Sequence, residues 1–111
     1  MRWSDRLRVL LPVARRAESR ADFEHLCTWA RDHIGVEAFV EPPTTVTPMT
    51  VVLVAKDGEW TRRRLAGPAQ ARRLGAELSI PVYDVRRLGY PQRMRDYQAR
   101  QRILRKRGRE S

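Results

Sequence analysis

The sequence predicts an α/β domain of the α+β kind, a mixed sheet of about four strands with helices packed on it in the order α-β-β-β-α-β-α. Three observations carry this reading. Asp57-Gly58 lies between two β-prone runs, TVVLVA and EWTRRRL, as in a tight hairpin. Gly67-Pro68 then opens a stretch with helical apolar spacing, and the short apolar run IPVYDV follows it, so the intervening helix suits a crossover within one sheet. Pro91 starts a last, strongly basic helical run. With 111 residues, 41% of them hydrophobic, the chain forms one domain.

Each element has a local reason. Residues 1–18, MRWSDRLRVLLPVARRAE, hold scattered apolar positions broken by Pro12 and read as a weakly ordered arm. The core is expected over 19–88, and a basic helix and tail over 89–111. Ser19 and Asp22 offer a start resembling a capping box for a helix over Arg20 to Ile34. Phe23, Leu26, Cys27, Ala30 and Ile34 form its apolar face before Gly35 stops it. VEAFVE, Val36 to Glu41, alternates as a strand and ends at Pro42-Pro43.

A two-residue type I′ turn at Asp57-Gly58 sets Lys56 opposite Glu59, Ala55 opposite Trp60 and Leu53 opposite Arg62. Pro68 costs nothing at the first helical position, because its missing N–H would be unpaired there. Ala71, Leu74, Gly75 and Leu78 then face inward, with Arg72 and Arg73 outward. Ile80 to Val85 forms the fourth strand.

The formal net charge is +10 and the isoelectric point near 11.3, which points to a polyanionic partner. Arg outnumbers Lys 21 to 2, as a GC-rich genome would favour, but codon bias does not make a chain basic. Position is more telling. Arg86 to Arg109 holds ten basic residues against Asp96 alone, whereas residues 1–85 hold thirteen against eleven acidic ones.

Several classes are disfavoured. A single cysteine, Cys27, allows no disulfide framework and no Cys-based metal site, in keeping with a cytoplasmic protein. VLLPVA is too short and too interrupted for a signal sequence, and no run approaches the ~20 apolar residues of a membrane span, so no membrane partner is expected. The six glycines are dispersed, leaving no Gly-rich phosphate loop, and no cofactor is expected.

The α-β-β-β-α-β order, with ARRLGAELSIPVYDV as its last helix and strand, resembles the core of the restriction-endonuclease-like nucleases. That resemblance implies an Asp early on the second strand and an acid-x-Lys on the third, together holding a divalent metal. Here the second strand begins Thr50-Val51 and the third reads Glu59-Trp60-Thr61, so the nuclease centre is not expected. The run from Val36 to Tyr97 also resembles a family of small uncharacterised actinobacterial proteins, some of them labelled oxidoreductases.

No catalytic residue or metal ligand is assigned. His25 and His33 are about 12 Å apart along a helix, too far to share one ion, and Trp29 between them suits packing. Cys27 lies on the apolar face and reads as a core thiol. Arg62 and Arg64 leave their strand on one face and Arg63 on the other. Asp84 suits an ion pair with Arg86 or Arg87.

The final helix has more pattern. Met94, Tyr97, Gln101 and Leu104 form an apolar stripe about 80° wide, narrow for a core helix. Arg93, Arg100 and Arg107 run along one side of it, and Arg95, Arg102 and Arg109 along the other. The first expectation is therefore a small accessory protein associated with RNA, DNA or a ribonucleoprotein through sequence-nonspecific phosphate contacts. The binding residues would be these six arginines with Arg105 and Lys106, helped by Arg72, Arg73, Arg86 and Arg87. The second is an interaction module whose Met94, Tyr97 and Leu104 dock on a protein, the arginines answering an acidic partner. A small enzyme with an unrecognised site is the third.

Overall fold

The computed structural model describes residues 18–110. The arm expected over 1–18 thus lies, Glu18 apart, outside the described residues. Residues 18–31 form α1. There follow β1 (Glu37–Glu41), β2 (Thr50–Val54), β3 (Trp60–Arg64), α2 (Pro68–Leu78), β4 (Val82–Asp84), α3 (Val85–Leu88) and α4 (Gln92–Glu110). The expected α+β order is present, with the single turn α3 added before the last helix.

One sheet runs β3-β2-β1-β4. β1 and β3 flank β2 antiparallel, and β4 joins β1 in parallel. A parallel partner cannot be reached by a hairpin, and α2 carries the chain from one edge of the sheet to the other. β2 lies in the middle, and Val51, Val52, Leu53 and Val54 are all fully buried. A strand covered on both faces reads as an unbroken apolar run, which explains TVVLV.

Alternation along the strands divides the core. Ala38, Val51 and Leu53 face α1 and α2, meeting Phe23, Leu26, Cys27, Ala71 and Leu74. Phe39, Val52 and Val54 face the other way and meet Met94 of α4, with Trp60, Tyr83 and Tyr90 around them. Each fully buried leucine, Leu26, Leu53 or Leu74, contributes about 1.5–3 kcal/mol by leaving water.

Four local expectations are corrected. Ser19 is already within α1 and is no cap; its hydroxyl accepts from Gln70 Nε2 at 3.0 Å, tying α1 to α2. The helix ends at residue 31, so Ile34, expected on the buried face, swings out to 79% exposure as the chain turns through Gly35 into β1.

The hairpin register is shifted by one residue. Trp60 pairs with Val54, Thr61 with Leu53 and Arg62 with Val52. Of Asp57 and Gly58 only the glycine has positive φ, at 93°. Asp57 instead keeps an ordinary backbone, and its Oδ1 accepts from Glu59 N at 3.0 Å. Gly58 N donates to Ala55 O and Ala55 N to Glu59 O, which makes a three-residue loop with a glycine bulge rather than a type I′ turn. Glu59 consequently meets His33, not Lys56.

The fourth strand is also shorter than Ile80 to Val85. Ile80 N donates to Gly75 O, closing the end of α2 beside Ser79 in its left-handed conformation, and only Val82–Asp84 pair.

Candidate nucleic-acid interface

The basic helix α4 has two halves. Its first turns lie across the second face of the sheet. Met94, 5% exposed, fills the centre of that face. Arg93 Nε donates to Ala55 O at 2.9 Å and its terminal nitrogen to Val54 O at 3.2 Å, while the same guanidinium meets Glu37 at 2.7 Å. Val54 ends the β2 ladder and Ala55 begins the turn, and Arg93 adds a charged donor to each of these carbonyls.

Close approach of α4 to the β2–β3 turn depends on Gly58. A Cβ there would lie 2.0 Å from Arg93 O and 2.8 Å from Tyr97 Cβ. The residue that the turn needs for its positive φ is also the one that leaves room for the helix. Arg100 completes the attachment by donating to Asp57 O at 2.9 Å.

Upstream of the helix, Tyr90 OH donates to Glu41, whose carboxylate also accepts from Thr50 Oγ1 and Arg62 Nε, each at 2.7 Å. Burial alone would raise the Glu41 pKa, but the bonds from Arg62, Tyr90 and Thr50 outweigh it and hold the carboxyl below its ordinary value. Arg62 in turn lies over the Trp60 ring at 5.3 Å. This cluster anchors the chain just before α4 begins.

Beyond Arg100 the helix continues past the sheet. Every residue from Arg102 to Glu110 is exposed, Ile103 at 51% and Leu104 at 56%. Arg105 bonds the Gln101 carbonyl of its own helix. Among the described residues, Arg102, Lys106, Arg107 and Arg109 form no ion pair. Five cations against Glu110 give this segment a local charge of +4.

The structure thus sorts the expected binding residues. Arg93 is committed to Glu37 and backbone carbonyls, and Arg95 bonds Gln92 and Tyr90 O. Arg86 pairs with Asp84 at 2.9 Å, and that exposed pair holds the Asp84 pKa down; Asp84 also caps α3. Arg86 and Arg87 precede the start of α4, at the opposite end from its exposed cations. Arg72 and Arg73 are on α2, which covers the other face of the sheet, so they do not join the α4 surface. Arg73 pairs with Glu77 and stacks on Phe23 at 4.6 Å. The expected docking residues separate too: Met94 is consumed by its own domain, Tyr97 is half-buried against the turn, and only Leu104 is exposed.

The histidines do not converge. His25 Nε2 shares a 2.9 Å hydrogen bond with Thr61, while His33 stacks on Trp29 with ring centroids 3.8 Å apart. His33 meets the Trp29 carbonyl at 2.6 Å through Nδ1 and Glu59 at 3.0 Å through Nε2. Both partners only accept, so the doubly protonated ring satisfies both. Burial opposes that charge, but the Trp29 carbonyl and Glu59 prevail and raise the pKa. Burial pushes the Cys27 thiol up, away from the reactive thiolate. Among the described residues no group of three or more His, Cys, Asp or Glu could hold a metal ion, and no helix is long and apolar enough to cross a membrane.

Sequence reasoning missed the structural use of Arg93 and the Glu41 cluster. A signal existed: Glu37 and Glu41 share the face of β1 that also presents Phe39, and acids placed among core positions call for cations. Comparison with family models, curated proteins and solved structures found no match to this chain.

Proposed function

We propose that the protein is a small nucleic-acid-associated factor that binds phosphates, without reading sequence, through the exposed half of α4. One observation carries the reading: Arg102, Lys106, Arg107 and Arg109 are exposed and have no carboxylate partner among the described residues, on a helix whose other half is locked to the domain. A locked helix holds its cations at fixed spacing, so less ordering is required on binding. Four such contacts would give a salt slope of about −4 on a duplex.

The test is titration of the chain with generic RNA and duplex DNA at two salt concentrations. Affinity is expected at low salt and should fall steeply with added salt. Joint replacement of Arg102, Lys106, Arg107 and Arg109 by Gln should remove it while leaving the unfolding midpoint in place. Absence of binding at low salt refutes the proposal. A second reading, docking of an acidic protein, is supported by the exposure of Ile103 and Leu104 beside these cations. It requires that Leu104→Ala weaken partner capture as much as the charge substitutions do.

A further inference from the structure

Resting on that reading, we infer that the polyanion is B-form duplex DNA and that the exposed half of α4 lies in its major groove. The distribution of side chains around the helix carries the inference. Counted from Met94 at about 100° per residue, Tyr97, Gln98 and Gln101 fall on the inward side, in agreement with their partial burial. Ile103, exposed, points about 180° away from Met94, and Ala99, partly buried, is about 40° from Ile103. Ala99 and Ile103 thus form a short uncharged step on the outward side, and Lys106 and Arg107 straddle the helix face beyond it.

Cations flank this step on both sides. Arg102 and Lys106 lie about 60–100° to one side of Ile103, and Arg107 about 40° to the other. An apolar step with cations on both sides, on a helix about 10–12 Å wide, complements a groove about 12 Å wide whose two walls carry phosphate. Asp96 and Glu110 sit near the outward side at its two ends and confine the contact to the helix between them, about 20 Å long. Ile103 would meet the groove floor through apolar contact, which selects no base beyond a thymine methyl.

The other nucleic acids fit less well. Single strands are held by stacking on free aromatic rings. α4 has no aromatic residue after Tyr97, and the rings elsewhere on that face are occupied: Trp60 by Arg62, Tyr83 by Phe39 and Tyr90 by Glu41. The A-form major groove is too narrow and deep to accept the helix with its domain attached.

Fluorescence anisotropy of the full chain with one mixed sequence, as duplex DNA, duplex RNA and single-stranded DNA of equal length, tests the assignment. Duplex DNA should bind the tightest of the three. Ile103→Glu should weaken it by about tenfold or more, because a carboxylate would be buried against the groove floor. Gln101→Glu adds the same charge on the inward side and should cost much less. Equal losses from the two substitutions would mean that α4 acts only as a diffuse cation, and the inference would fall. Equal or tighter binding of single strands or duplex RNA would overturn it as well, while leaving phosphate binding intact. Absence of binding to all three would instead defeat the underlying reading.

Discussion

The two halves of α4 are both rich in arginine and opposite in use. Between Gln92 and Arg100 the arginines serve the fold: Arg93 donates to β2 carbonyls and pairs with Glu37, and Arg100 donates to the turn at Asp57. From Arg102 onward they face water and form no ion pair among the described residues. An arginine count therefore says little by itself. What separates the halves is whether a sheet lies beneath the helix, offering carbonyls and a half-buried acid.

The largest blow to this contrast should come from Gly58→Ala. The substitution combines backbone strain of about 1–2 kcal/mol with overpacking of about 1–3 kcal/mol against Arg93 and Tyr97. The inner half of α4 should lift from the sheet and lose its protection from hydrogen exchange. Retention of that protection would show that the glycine is not what permits the close approach.

Met94→Ala should cost about 2–3 kcal/mol in urea unfolding, since the second-face cluster is small, whereas Leu104→Ala should stay within about 0.5 kcal/mol. Similar losses at the two positions would erase the boundary between the halves. Arg93→Gln should cost about 1–3 kcal/mol by removing the ion pair with Glu37 and the charged donor to the Val54 and Ala55 carbonyls. Arg107→Gln should leave stability unchanged and reduce the salt slope of DNA binding by about one.

The smallest effects are those of pH. The raised His33 pKa means that its ties to Trp29 and Glu59 stabilise fully below the ordinary histidine range and are lost as pH rises through the raised value. Glu41 behaves in the opposite sense: its lowered pKa gives stability above the ordinary glutamate range, lost as pH falls through the lowered value. Urea midpoints over roughly pH 3 to 9 should show both limbs. His33→Gln should flatten only the alkaline one, and Glu41→Gln only the acid one.

Much of the architecture is legible in the residues. Pro68 marks the start of α2, TVVLV a strand buried on both sides, and Pro91 the approach to α4. The misreadings have a common origin in pairing. Asp57-Gly58 announces a turn, but whether one or two residues take positive φ depended on the Asp57 side chain bonding Glu59 N, and that choice moved the register by one. Ile34 fits a helical period that the chain leaves three residues earlier, in order to turn into β1.

By itself, then, the sequence determined the element order, the alternation that gives the sheet two apolar faces, and the concentration of positive charge in the final quarter, because these rest on local conformation and composition. Only the tertiary structure decided which arginines are spent. That choice follows from where α4 runs off the sheet, and its close approach depends on the bare backbone at Gly58, where a Cβ would lie 2.0 Å from Arg93 O. Side chains over the sheet find carbonyls and carboxylates, and those beyond it find water.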